Sequence, residues 1–177
     1  MLFLQAYRVL HVSFEEAAEQ IKKNAKLFGD NLEPFIKASQ LTIDSIRSVE
    51  LGMEEHVISI LKNVDNFNTN FIFIDPISSL SDLGDPRAFK NVVLRLTNAL
   101  KERSLTVILT ELQNDSQGNY STLNISSIAD NWIRLMLEET DNSIRRRIKI
   151  HKARGILSTN TIREIILLKD GLAIEDV

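Results

Sequence analysis

None of the 177 residues is a cysteine, which excludes a disulfide framework, a thiolate zinc site, an iron–sulfur cluster and a cysteine nucleophile together. Long apolar runs are missing as well. Phe71 to Ile74 and Ile165 to Leu168 are among the longest, far short of the roughly 20 residues that cross a bilayer. The start, MLFLQAYRVL, has no basic leader and no small-residue cleavage pattern. It reads as running directly into a strand and helix rather than as a secretion signal, so a cytoplasmic protein is expected. Charge of one sign is not in excess either: 21 basic against 24 acidic residues leave a net charge of −3, which by itself favours no partner. What is present, 44% hydrophobic and 25% charged residues, is the composition of a folding globular chain and not of a disordered or fibrous one. The length suits one ordinary domain.

Tyr7 to Phe14 combines β-branched and aromatic residues without helical spacing and reads as a buried strand. From Glu15 the period changes: Ala17, Ile21, Ala25 and Phe28 recur at near-helical intervals, with Gly29 as the stop. Leu41 to Ile46 is a short strand. Met53, Val57, Ile60, Leu61 and Val64 mark one helix face, and 63–70 is polar and turn-prone. Phe71-Ile72-Phe73-Ile74, ending in Asp75-Pro76, has the continuous apolar texture of a central parallel strand covered on both faces. Asp85-Pro86 predicts a helix start, with Phe89, Val92, Val93, Leu96 and Leu100 on the apolar face. Leu105 to Leu112 is the next strand and 113–123 an exposed loop. Beyond it Trp132 to Leu137, Arg147 to His151 and Ile162 to Leu168 read as strands, with a tight-turn signal at Asp170-Gly171. The order predicts an open, mainly parallel α/β sheet with antiparallel additions at its C-terminal edge, in a single domain over 1–177.

In open α/β sheets ligands bind at the carboxyl ends of the strands. Three such ends carry suggestive groups: Ser13-Phe14-Glu15-Glu16, Asp75-Pro76-Ile77-Ser78 and Thr110-Glu111-Leu112-Gln113. Their carboxylates could orient a water or hold Mg²⁺ beside a nucleotide, because hard cations prefer oxygen ligands. A plainer explanation competes. Ser13 followed by Glu16 is a capping box with acids in a first helical turn, and an Asp before Pro is often only a turn.

The segments VSFEE at 12–16, GMEEH at 52–56, FIFIDPISSL at 71–80, ISSIADNWIRL at 125–135, IHKARG at 150–155 and TIREIILLKDG at 161–171 stand in the order and spacing of the KaiC family. These are RecA-like P-loop ATPases, and the chain resembles them over nearly its whole length. The resemblance implies a RecA-like fold, ATP and Mg²⁺ as ligands, and a homo-oligomeric ring. Glu15 and Glu16 match the glutamates that orient and deprotonate the attacking water, and Asp75 matches the Walker B aspartate that supports Mg²⁺, with Ser78 and Thr110 beside the nucleotide. Lys152 and Arg154 match a basic pair that reaches the neighbouring subunit's nucleotide. Ser126 and Ser127 fall where clock-type members carry an autophosphorylated Ser-Thr pair, though the second residue here is serine.

The departure from the family is at the phosphate cradle. G-x-x-x-x-G-K-[ST] is absent, since none of Gly29, Gly52, Gly84, Gly118, Gly155 or Gly171 is followed by Lys. In the family that loop precedes the VSFEE strand, so the expectation is a truncated portion of a KaiC-like ATPase domain that is inactive alone. The alternatives are a non-enzymatic KaiC-like signalling or assembly subunit, and a DNA-binding recombinase relative. Arg145, Arg146, Arg147, Lys149, Lys152 and Arg154 place six positive charges in ten residues, but strand alternation would split them between two faces and Glu138, Glu139 and Asp141 lie near. A solvated or subunit-facing edge is therefore preferred to a nucleic-acid surface. His11, His56 and His151 show no metal-ligand spacing.

Overall fold

The computed structural model describes residues 7–47, 51–113, 121, 123–140, 143–157, 161–168 and 171–176. Most of the loop read over 113–123, and Asp141 and Asp170, lie outside the described residues. The chain divides into two compact units, Met1–Leu112 and Gln113–Val177.

In the first unit β1 (Val9–Ser13), α1 (Ala18–Leu27), α2 (Glu33–Lys37), β2 (Leu41–Ser45), α3 (Met53–Phe67), β3 (Phe71–Asp75), a 3₁₀ helix (Ile77–Leu83), α4 (Pro86–Glu102) and β4 (Thr106–Leu109) follow one another. The sheet is parallel throughout, in the order β2-β1-β3-β4. α1 ends as its glycine predicts, with Gly29 at φ +89°. α3 runs on to Phe67, further than the polar texture of 63–70 suggested, because left-handed Asn68 supplies its stop. α2 was not anticipated: five residues with a proline in second place are too few to show a helical period.

One face of the sheet carries the core. Leu10 and Val12 of β1 and Ile72 and Ile74 of β3 are fully buried, as are Ile60 of α3 and Phe89, Leu96 and Leu100 of α4. Each such side chain contributes roughly 1.5–3 kcal/mol by leaving water. The other face, with Val9, His11, Phe71 and Phe73, is only half-buried. The reading of 71–74 as covered on both faces is thus corrected, since α1 and α2 bury no residue completely. α3 and α4 pack on each other and are joined at the surface by Arg95 to Glu54 and by the two-pronged Arg103 to Asp65 pair at 2.9 and 3.2 Å.

The second unit is an antiparallel meander, β5 (Asn131–Thr140), β6 (Ser143–Ala153), β7 (Ile162–Leu168) and β8 (Gly171–Asp176), in chain order. These strands form a four-stranded sheet of their own, where the sequence suggested additions to the parallel one; β8 was read only as a turn. Opposite charges pair across the strands, Arg163 to Asp176 and Arg147 to Glu138, both at 2.8 Å. Register shifts by one residue at Trp132/Ile133, leaving His151 as the extra residue of β6.

The helix start predicted at Asp85 is realised: its carboxylate accepts from the N–H groups of Arg87 and Ala88 at 2.9 and 3.1 Å. Asp85→Ala should therefore cost about 1 kcal/mol. Phe89→Ala, one turn on and fully buried, should cost about 3–5 kcal/mol. Urea unfolding followed by helical circular dichroism checks both, and equal losses would contradict the burial difference.

Candidate functional site

β1 lies between β2 and β3, and the chain leaves it first to one side and later returns on the other. Connections that part in this way open a crevice at the carboxyl ends of the two central strands. In this fold those ends are Ser13 and Asp75, which stand opposite each other in register. The pairing extends one step further, where the Phe14 N–H donates to the Asp75 carbonyl at 3.0 Å.

Beyond Phe14 the two glutamates diverge. The Glu16 N–H donates to Ser13 Oγ at 3.0 Å, so half of the capping box exists. It caps no helix, however: α1 begins at Ala18, its cap position is Ala17, and its first-turn acid is Glu19. Glu15 and Glu16 are loop residues, both exposed at the mouth of the crevice, and the first-turn explanation for them is overturned. The Glu16 carboxylate is drawn toward α1 by Asn24, whose Nδ2 donates to it at 3.0 Å; Gln20 Nε2 in turn donates to Asn24 Oδ1 at 2.8 Å. The Glu15 carboxylate instead accepts from the Ser79 hydroxyl at 3.0 Å.

Asp75 is held from the β4 side. The Thr110 hydroxyl donates to its Oδ1, and the Thr110 backbone is fixed at both ends, its N–H donating to the Ile74 carbonyl at 3.1 Å and its carbonyl accepting from Ile77 at 2.9 Å. The Ser78 hydroxyl accepts from the Leu112 N–H at 3.2 Å. Thus Glu15, Asp75, Ser78 and Thr110, expected from sequence to share a site, are linked through the ends of three adjacent strands. Ser79 was missed: the motif IDPISS was visible, but only the 3₁₀ turn decides which serine faces which strand.

The donors at this crevice are carboxylate and hydroxyl oxygens, the set that suits Mg²⁺. Among the described residues no three acidic or histidine side chains gather closely enough to hold a metal ion themselves. Two aromatic contacts lie behind the crevice. His11 packs on Phe73 with ring centres 4.8 Å apart, and Phe14 meets the fully buried His56 edge-on at 5.3 Å. A cavity of about 570 Å³ opens elsewhere in this unit, lined by Arg8, Lys22, Leu41 and Thr69 among others. The strand-end groups, not this cavity, are the candidate site.

The remaining candidates belong to the second unit. Ser126 is half-buried and Ser127 exposed, on the turns that lead into β5. Lys152 Nζ donates to the carbonyls of Ser126, Ser127 and Ala129 at 3.2, 3.3 and 2.6 Å, which engages all three of its donors. The Arg154 N–H donates to the Asp130 carbonyl at 3.0 Å, and its guanidinium pairs with the Asp130 carboxylate at 3.1 Å. His151 stacks on Trp132 at 4.5 Å.

A family model described as ATPase: KaiC matches residues 4–176. The chain belongs to the KaiC ATPase family. It is 31% identical over 172 residues to the circadian clock protein KaiC2 of Synechocystis sp., covering 96% of this chain and 30% of that protein. It is 27% identical over 175 residues to the circadian clock oscillator protein KaiC of Parathermosynechococcus lividus, covering 98% and 32%. With KaiC of Synechococcus elongatus the identity is 28% over 171 residues, covering 96% and 33%. The chain therefore spans about a third of the length of the curated relatives it matches. No helix among the described residues of this KaiC-family chain is long and apolar enough to cross a membrane.

Burial holds the His11 ring below the ordinary 6.5, against the opposing pull of Asp75 and Glu16. Between that lowered value and 6.5 the unfolded chain binds more protons at this ring than the folded one. Stability present above 6.5 should then decline as pH falls through the window. His11→Gln should shrink the loss in urea midpoint between about pH 7.5 and 5.5. An unchanged loss would assign it to other groups.

Proposed function

We propose that residues 1–177 form the water-activating and Mg²⁺-supporting portion of one KaiC-type ATPase domain. The observation that carries this reading is the placement of Glu15 just beyond the β1 end and of Asp75 at the adjacent β3 end, at the topological switch of the parallel sheet, each steadied by a hydroxyl, Ser79 and Thr110. Glu15, with Glu16 beside it, orients the attacking water and accepts its proton, a task that suits an exposed carboxylate next to a γ-phosphate. Asp75 supports Mg²⁺, with Ser78 and Thr110 at its side. Bound Mg²⁺ would neutralise charge on the phosphates. The phosphate cradle must come from a segment with the G-x-x-x-x-G-K-[ST] pattern, which these residues lack.

Arg154, whose guanidinium stays exposed, is assigned to the neighbouring subunit's nucleotide in a homo-oligomeric ring, while Lys152, matched to the same basic pair, is committed to the turns that carry Ser126 and Ser127. Ser126 and Ser127 are the positions for autophosphorylation. The second reading is a KaiC-like assembly or signalling subunit without hydrolysis.

Calorimetric titration of the 177-residue chain with ATP and Mg²⁺ should give a dissociation constant no tighter than about 1 mM, since most phosphate contacts are lacking. A micromolar constant would point to a site built from other residues. When the family's phosphate-loop segment is placed ahead of residue 1, ATP hydrolysis should appear, and Glu15→Gln with Glu16→Gln should lower turnover by about 10²–10⁴ while nucleotide still binds. Failure to hydrolyse despite tight binding would favour the assembly-subunit reading. In the same protein, Arg154→Ala subunits mixed with Glu15→Gln, Glu16→Gln subunits should regain activity, because a mixed interface unites an intact base with an intact guanidinium. Mixed rings without rescue would confine Arg154 to its own subunit.

A further inference from the structure

The adjacent serines of the 3₁₀ helix reach in opposite directions. Ser78 Oγ takes the Leu112 N–H beyond β4, whereas the Ser79 hydroxyl donates to Glu15 Oε1 beyond β1, 64 residues away in sequence. The helix itself is anchored, the Ser79 N–H donating to the Pro76 carbonyl at 3.3 Å and the Ile77 N–H to Thr110. Ser79 thus presents its hydroxyl from a fixed backbone to a carboxylate that stands on an exposed loop. A loop carboxylate with free rotamers would visit many orientations, and one charge-assisted hydrogen bond is enough to select among them. Glu16 has no such tie to β3; Asn24 turns it toward α1.

We propose that Ser79 is the positioning residue for Glu15, and that the glutamate pair is unequal: Glu15 faces the crevice as the water-orienting group while Glu16 shapes the loop. The inference rests on the ATPase reading given above for Glu15. Ser79 touches neither water nor nucleotide in this account. It acts by holding the Glu15 carboxylate on the β3 side of the switch, within the span between the β1 and β3 ends where the reacting phosphate would lie.

Two measurements test it. In the 177-residue chain labelled with ¹³C-glutamate, Ser79→Ala should move the side-chain carboxylate resonance of Glu15 and leave that of Glu16 in place, and Ser79→Thr, which keeps the hydroxyl, should restore it. An unmoved Glu15 resonance overturns the contact. In the protein supplied with the phosphate loop, Ser79→Ala should lower kcat about tenfold with the KM for ATP unchanged, the mark of a misoriented group rather than lost binding. Ser79→Thr should recover the rate, Ser79→Ala should add nothing to Glu15→Gln, and Glu16→Gln should cost less than Glu15→Gln. If Glu15→Gln itself leaves turnover intact, the catalytic reading of Glu15 fails. If Glu15→Gln stops turnover but Ser79→Ala runs at the full rate, that reading stands and the positioning role of Ser79 falls.

Discussion

The register that sets Ser13 opposite Asp75 is the constraint on which the site depends. In a β-strand successive side chains alternate between faces, so a slip of one residue would carry Leu10, Val12, Ile72 and Ile74 out of the core. The core forbids that slip, because these four are fully buried. The same alignment brings the two central strands to their carboxyl ends at one level and releases Glu15 and Asp75 on either side of one crevice. Packing on one face of the sheet thereby sets the geometry of the polar groups at its end.

Around that alignment, polar contacts do work that burial cannot. The site lies at the margin of the sheet, where the acids are exposed or half-buried and no apolar contact could orient them. Thr110 ties Asp75 to β4, Ser78 ties the 3₁₀ helix to the chain beyond β4, and Ser79 ties it to the loop beyond β1. The result joins three strand ends through short side chains, whose low conformational entropy makes them economical fixing points. His11 and His56 pack against rings inside the same unit, where desolvation favours an uncharged His11.

The second unit uses its cations differently from what an even charge run suggests. The bulge at His151 interrupts alternation just before Lys152, and the ammonium closes on three backbone carbonyls of the turns that carry Ser126 and Ser127. Arg154 keeps a planar, exposed guanidinium with one carboxylate partner. An ammonium satisfied by carbonyls is a structural tie, while a surface guanidinium held by one exposed pair is worth little to stability and can exchange partners. The two members of the motif are chemically unequal for this reason.

Much of this molecule was legible in the order of its residues. The strands from β1 to β7, the Asp85 helix start, the Gly29 stop and the carboxylates at strand ends all follow from local rules, since period, capping and turn chemistry act over a few residues. The family motifs extended that to ATPase ancestry. Other features were not legible because they depend on residues far apart in sequence. The half-open face of β3 depends on which helices cover it, and its apolar run is the same in either case. The separate antiparallel sheet depends on which strand edges pair. The choice between Ser78 and Ser79 as the partner of Glu15, and the diversion of Glu16 to Asn24, depend on a 3₁₀ turn and a helix arriving from different parts of the chain. Sequence determined which groups could act at the site, because chemistry resides in side-chain type; tertiary structure alone decided which of them are aimed at one another, because a hydrogen bond across 64 residues exists only once the sheet register has closed the distance.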